Sequence, residues 1–295
     1  SQAQTASAAA GPAAAAGSLW ARLSRAVQRR CVQALADGGG PVPTHVGLIM
    51  DGNRRYARAR NAPPVAGHRA GFAKLLDVLE WCFDLGVRHV SVYAFSLDNF
   101  GRPRDEVDGL MSLAEDKLEA LLTEAHVLER RDVRVRICGE WGRLPDGVRR
   151  AAARVERSTR HRTGGTLHVC LAYGGLEDME RAKGWAQEGV RTGWLREADV
   201  DDELVERLLC TRDAPGIDLL VRTSGEQRLS GFMLWQCRFA ELVFLNTLWP
   251  DLGVLGLAEA LHRFRASAAR NTERRDAYLE RLGERRREAD GWAAV

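Results

Sequence analysis

Six short apolar runs, near residues 46–50, 90–95, 133–138, 166–172, 218–222 and 241–245, are separated by stretches whose apolar residues recur at helical spacing. Runs of that length, rich in Val, Leu and Ile, suit strands buried on both faces. Strands that alternate with helices pair in parallel through crossover connections. The chain is therefore expected to be an α/β protein, with a mostly parallel six-stranded sheet flanked by helices and a long charged helix from about 257 to 288. In such sheets ligands collect beyond the carboxyl ends of the strands, so the residues that follow each run are where function is sought.

The first run, Val46 to Met50, ends abruptly in Asp51-Gly52-Asn53-Arg54-Arg55. Gly52 opens backbone conformations closed to other residues, so the amides of Asn53 and Arg54 can turn towards an anion while the side chains of Arg54 and Arg55 clamp it from outside. Asp51 can then hold a divalent cation. An ordinary strand-to-loop turn, in which Asp caps and Gly bends the chain, explains Asp-Gly-Asn as well. A second cluster, Gly67-His68-Arg69-Ala70-Gly71, precedes the helical pattern Phe72, Leu75, Leu76, Leu79, Phe83. A helix start there offers unpaired N–H groups to a phosphate, and plain turn chemistry accounts for the same letters.

The second run closes on Ser96-Leu97-Asp98-Asn99-Phe100-Gly101-Arg102, which brings Asn99 and Arg102 to the same sheet edge. The helix that follows carries Val107, Leu110, Met111, Leu113, Leu118, Leu121 and Leu122, apolar on more than one side. It either walls a hydrophobic cavity or packs a core. The fifth run delivers Arg222, with Arg228 and Ser230 shortly after it. Two arginines and a hydroxyl fit a doubly charged diphosphate better than a single carboxylate, because guanidinium binds phosphate bidentately.

These motifs, together with Tyr93-Ala94-Phe95-Ser96, Arg222-Thr223-Ser224-Gly225-Glu226, Leu234-Trp235-Gln236 and Trp249-Pro250, stand in the order found in the cis-prenyltransferases. Over roughly Pro43 to Arg270 the chain resembles that family of undecaprenyl and dehydrodolichyl diphosphate synthases, and its Arg-Arg pair and Thr-Ser-Gly resemble the eukaryotic dehydrodolichyl branch. The resemblance implies elongation of an allylic primer, farnesyl diphosphate, by isopentenyl diphosphate, with each new double bond cis, and with Mg2+ as cofactor. It implies that Asp51 holds the metal near the allylic diphosphate, that Gly52, Asn53, Arg54, Arg55 and His68 cradle that head group, and that Arg222, Arg228 and Ser230 hold isopentenyl diphosphate. It also implies that Glu241 is a second metal position, that Asn99 and Arg102 lie near the reacting carbons, and that Ala94, Gly165 and Leu167 belong to a product tunnel. Gly165, with no side chain to block the floor, implies a long product.

Two departures stand out. Many members carry an arginine four residues before the histidine of the Gly-His motif, where this chain has Pro64. Self-sufficient homodimeric members carry a C-terminal Arg-X-Gly, where this chain reads Arg270-Asn271-Thr272, with Arg281-Leu282-Gly283 further on. That pattern implies a heteromer in which a Nogo-B-receptor-like subunit supplies the tail.

No apolar run approaches the ~20 residues that span a bilayer. Ser1 to Gly17 is Ala-rich and expected to be a disordered tail. From Ser18 to Leu35, Leu19, Trp20, Leu23, Val27, Cys31 and Leu35 recur at helical spacing opposite Arg22, Arg25, Arg29 and Arg30, before a hinge at Gly38-Gly39-Gly40. This helix either lies in a membrane interface or docks on the catalytic domain of residues 41–295. A peripheral place on the cytosolic face of the endoplasmic reticulum membrane follows from the resemblance. The six cysteines form no C-x-x-C pair and read as free thiols. The absence of D-D-x-x-D argues against the helical trans-prenyltransferases. A P-loop, a G-x-G-x-x-G and a sustained basic face are also missing, which argues against nucleotide or nucleic-acid binding. A non-catalytic scaffold of the same fold is the remaining alternative, yet such subunits typically lose the strand-end Asp and the late Arg-Ser pair, both of which are present.

Overall fold

The computed structural model describes residues 12–123 and 125–293, with side chains for 24, 26–123 and 125–284. All six expected runs are strands: β1 (His45–Ile49), β2 (His89–Ser96), β3 (Val133–Cys138), β4 (Gly165–Tyr173), β5 (Leu219–Arg222) and β6 (Glu241–Phe244). They form one sheet in the order β3-β4-β2-β1-β5-β6, and every pairing is parallel. Connections leave β1 towards β2 on one side, and β5 lies on the other. The crevice beyond the carboxyl end of β1 is thus a topological switch point, where α/β sheets bind ligands.

The period-2 alternation of the strands gives the sheet two unlike faces. Val46, Leu48, Val90, Val92, Leu167, Val169 and Leu171 point to one face. There they pack under helices α3 (Pro64–Asp84), α4 (Arg104–Thr123), α6 (Asp146–Thr159) and α9 (Val254–Ala293), while α5 (His126–Arg130) and α8 (Asp202–Leu208) are short connecting helices. The opposite face, towards α7 (Gly175–Arg191), carries Ile49, Cys170, Leu220 and Tyr173, with Phe232 and Met233 over them.

Three histidines lie together in this sheet, His45 on β1, His89 on β2 and His168 on β4, with ring centroids 5.7–6.1 Å apart. His45 is fully enclosed, bonded through Nδ1 to the Pro215 carbonyl oxygen at 2.8 Å and through Nε2 to Ser91 Oγ at 2.7 Å. Burial holds its pKa down at about 4, against a partly offsetting bond to Pro215 and with added repulsion from His89. Unfolding restores an ordinary imidazole, so the unfolded chain binds more protons between pH 6.5 and 4 and stability falls as pH falls through that window. His45 alone should cost about 2 kcal/mol at pH 5 relative to pH 7. Melting temperatures measured from pH 7 to pH 5 should therefore decline, and a flat profile would contradict neutral burial.

The N-terminal helix α1 (Pro12–Asp37) starts earlier than expected. Residues 12–17 are helical and not a disordered tail, because Pro at the first position and a run of Ala are favourable to a helix. Residues 1–11 lie outside the described residues. The last turns of α1 dock on the domain: Val32 is fully buried, Leu35 and Ala36 pack on the core, and Arg29 pairs with Glu80 at 2.7 Å. Val27 is 60% exposed. The side chains of Leu19, Trp20 and Leu23, on which the membrane reading rests, are outside those described.

Candidate active site beyond β1 and β5

Asp51 follows β1 and is pinned through its backbone. Its N–H donates to Thr223 Oγ1 at 3.1 Å, and its carbonyl oxygen accepts from the Thr223 hydroxyl at 2.7 Å and from the Trp249 N–H at 3.0 Å. The carboxylate is therefore aimed by neighbours from β5 and the turn after β6. Arg222, at the end of β5 and 4% exposed, donates from one guanidinium nitrogen to Asp51 Oδ2 at 2.8 Å and from another to Ser230 Oγ at 2.9 Å. Burial alone would raise the Asp51 carboxyl, but Arg222, the Ser224 hydroxyl and the Gly52 N–H outweigh it and hold the pKa below the usual value. Asp51 is a committed anion at neutral pH.

Gly52 has φ +107°, and a Cβ there would meet Leu248. It turns the chain into α2 (Asn53–Arg58), whose first amides have no intrahelical acceptor. The helix also projects Arg54, which pairs with Glu106 at 3.5 Å, and Arg55, which bonds to Ser224 Oγ. Glu106 holds Arg102 as well, at 3.0 Å. Asn99 sits in the turn Leu97–Gly101, where its Oδ1 accepts the Ser96 N–H and its N–H donates to Ser96 Oγ. His68 faces the same cavity with its Nε2 buried and unpaired within the protein. Burial, together with the charges of Arg102 and Arg54, keeps its pKa down at about 4, so the ring is neutral at physiological pH.

These groups surround the mouth of a cavity of about 730 Å3. Its mouth carries Asp51, Arg54, Arg55, His68, Asn99, Arg102, Arg222, Glu226, Arg228 and Ser230, and its body is apolar, lined by Leu75 of α3, Leu118 and Leu121 of α4, Val92 of β2, and Val169 and Leu171 of β4. A cluster of guanidinium groups above an apolar pocket selects an amphiphile: an anionic head with a hydrocarbon tail.

Residues 49–272 match the prenyltransferase family model described as "Putative undecaprenyl diphosphate synthase". The chain belongs to this cis-prenyltransferase family. It is 39% identical over 251 residues to the dehydrodolichyl diphosphate synthase complex subunit Dhdds of Mus musculus, covering 85% of this chain and 75% of that one. It is 42% identical to the tritrans,polycis-undecaprenyl-diphosphate synthase (geranylgeranyl-diphosphate specific) of Methanopyrus kandleri, over 76% of this chain and 83% of that one. Among solved structures, the lavandulyl diphosphate synthase of Lavandula x intermedia with dimethylallyl diphosphate superposes with a TM-score of 0.70 at 34% identity, covering 76% and 95% of the two chains.

Most residues assigned from the sequence meet at this cis-prenyltransferase cavity, and three do not. Glu241 opens β6 in register with Leu219, whereas Arg222 is in register with Phe244. Three residues of strand place Glu241 about 10 Å towards the opposite end of the sheet, and it does not line the cavity of its own chain. Glu226 does. Gly165 is the first residue of β4, under the Arg88 carbonyl oxygen and the Phe83 ring. Leu167, fully buried, lies one side-chain layer beneath Val169 on the same face. Neither lines the cavity, while Ala94 does. Gly165 and Leu167 share β4 with Val169 and Leu171, which do line the cavity, and α3 and α4 packed across the sheet set how deep it reaches.

Gly67 and Gly71 also have a different reason from a phosphate seat. The helix α3 begins at Pro64, so both glycines lie inside it. A Cβ at Gly67 would run into the Asn53 backbone carbonyl, and one at Gly71 into the Asn53 side chain and Trp249. The glycines let α3 approach α2 closely and hold Asn53 at the site. Pro64 takes a helix position in which its missing N–H costs nothing. Glu106, Thr223, Ser224 and Glu226 were not singled out as site residues. The i,i+4 spacing of Arg102 and Glu106 is the one readable signal for Glu106, and the other three belong to the motif Arg222-Thr223-Ser224-Gly225-Glu226.

Proposed function

We propose that this chain is the catalytic subunit of a cis-prenyltransferase that extends an allylic diphosphate, farnesyl diphosphate, with isopentenyl diphosphate to a long polyprenyl diphosphate of the dolichol-precursor class. The observation that carries this reading is the Asp51–Arg222 pair at the mouth of an apolar cavity, with Ser230 bonded to the same arginine. Arg222, Arg228 and Ser230 hold isopentenyl diphosphate. Gly52, Asn53, Arg54, Arg55 and His68 hold the allylic head group, and Asn99 and Arg102 stand beside the reacting carbons. In the condensation the allylic C–O bond breaks, a C–C bond forms to the isopentenyl double bond, and one proton leaves. Holding two diphosphates side by side supplies most of the orientation, and the guanidinium charges stabilise the departing diphosphate.

The donor set suits Mg2+. Among the described residues no three His, Cys, Asp or Glu side chains form a metal cluster. Mg2+ is commonly held by one or two carboxylates with substrate phosphates and water, and Asp51 with Glu226 provides that number. When bound, the metal would neutralise developing charge on the leaving diphosphate.

The relative named above as a complex subunit supports a partner for this chain too. In α9 both Arg270-Asn271-Thr272 and Arg281-Leu282-Gly283 lie within one unbroken helix, so neither is an extended tail. A Nogo-B-receptor-like subunit ending in Arg-X-Gly is the proposed supplier. The apolar product and the exposed Val27 of α1 support a place at the cytosolic face of the endoplasmic reticulum membrane.

Incubating the purified chain with labelled isopentenyl diphosphate, farnesyl diphosphate and Mg2+, with and without such a subunit, tests the proposal. The expected result is weak incorporation alone and strong incorporation with the partner, into long products. No incorporation in either arm would overturn the enzyme, and full activity alone would overturn the heteromer. Product length should respond to Val169→Phe, which narrows the cavity body and shortens the chains. Gly165→Leu should lower stability without a specific shortening, because the added side chain meets the Arg88 carbonyl and Phe83. An unchanged product distribution in folded Val169→Phe would place the floor elsewhere.

A further inference from the structure

Ser224 stands in a conformation that serine rarely takes. Its φ is +78°, followed by Gly225 at +78°. Two backbone bonds enforce the shape: the Ser224 N–H donates to the Thr247 carbonyl oxygen and the Gly225 N–H to that of Leu245, each at 2.8 Å. Left-handed backbone is free for glycine and strained for a residue with a Cβ, so a glycine at this position would relieve the loop. Strain of this kind persists where the side chain has a task.

The side chain's surroundings identify the task. Ser224 is 6% exposed; its Oγ accepts a hydrogen bond from the Arg55 guanidinium, and its hydroxyl faces the Asp51 carboxylate. The carboxylates near that guanidinium are more distant, Asp51 Oδ1 at 3.9 Å and Glu226 Oε1 at 3.7 Å. Arg55 is half-exposed at the cavity mouth, on a six-residue helix, and a side chain so long has much rotamer freedom to lose on binding.

We infer that Ser224 is a positioning residue for the allylic diphosphate, its hydroxyl holding the Arg55 guanidinium beside Asp51 before the substrate arrives. The inference rests on the assignment of Arg55 to the allylic head group. Preorganisation of this kind lowers the cost of ordering Arg55 on binding, so its loss weakens the primer and leaves isopentenyl diphosphate alone.

The test compares Ser224→Ala, Ser224→Gly, Arg55→Ala and the double variant Ser224→Gly/Arg55→Ala, in the active complex, by KM for each substrate and by melting temperature. Ser224→Ala and Ser224→Gly should raise the primer KM equally, about 5-fold, the scale of one hydrogen bond, with the isopentenyl diphosphate KM within twofold of the parent. The double variant should be no worse than Arg55→Ala alone, as expected of two residues acting as one unit. Ser224→Gly should melt about 2–4 °C above Ser224→Ala, because only the glycine relaxes the loop. An unchanged primer KM in Ser224→Gly, or losses that add in the double variant, would overturn the role of the hydroxyl while leaving the site assignment intact. An unchanged primer KM in Arg55→Ala would overturn the Arg55 assignment and the inference with it.

Discussion

Asp51→Asn should lower kcat/KM by about two to three orders of magnitude at saturating Mg2+ while the protein stays folded. The change keeps the shape of the side chain and leaves the backbone anchors from Thr223 and Trp249 in place. What it removes is the anionic charge that Arg222 holds ready at 2.8 Å. A preorganised electrostatic group of this sort commonly contributes about 3–4 kcal/mol to the transition state. The comparison should be made by steady-state kinetics with both substrates varied, beside circular dichroism to confirm the fold. Near-normal turnover would mean that Asp51 is an ordinary turn residue after all.

Gly67→Ala should be among the most destabilising single-methyl changes in the protein. The new Cβ would overlap the Asn53 backbone carbonyl, with its carbon at 2.9 Å, and backbone cannot swing aside as a flexible side chain can. Separating α2 from α3 should cost about 3 kcal/mol, which lowers the melting temperature by roughly 6–12 °C in a chain of this size. Because Asn53 opens α2 at the active site, the folded fraction should also lose activity. Gly109→Ala in α4 is the internal control: nothing lies within 4 Å of its Cβ, and alanine favours a helix interior by about 0.5–1 kcal/mol. Scanning calorimetry of the two variants should give shifts of opposite sign, and a shift of the same sign would refute the close-approach role of Gly67.

Much of the sheet could be read from the sequence because a strand buried on both faces announces itself by a local run of branched apolar residues. Val46 to Met50 and Val133 to Cys138 needed no tertiary information. Residues at strand ends were legible for the same reason, since parallel topology sends Asp51, Asn99 and Arg222 to one edge. Properties that depend on what lies across a gap were not legible. The letters Gly-His-Arg-Ala-Gly do not reveal that α3 starts three residues before Gly67, nor that Asn53 fills the space opposite. Glu241 was placed by its motif at the active edge, but the register of a four-residue strand decides which end it occupies. Gly165 and Leu167 lie outside the cavity for a similar reason, because depth beneath a helix layer is a property of the helices as much as of the strand.

Val92 of β2, paired with Val169 of β4, and Ala94 and Leu171 one step nearer the strand ends give the wall of the cavity a graduated scale. Successive side chains on one face of a strand are about 6.6 Å apart, so the wall changes in discrete rungs and not continuously. A growing tail anchored by its head group at the strand ends would meet these rungs in a fixed order. Lineages of such an enzyme could then alter product length by stepping bulk up or down this ruler, one rung at a time, without touching the charged machinery above it.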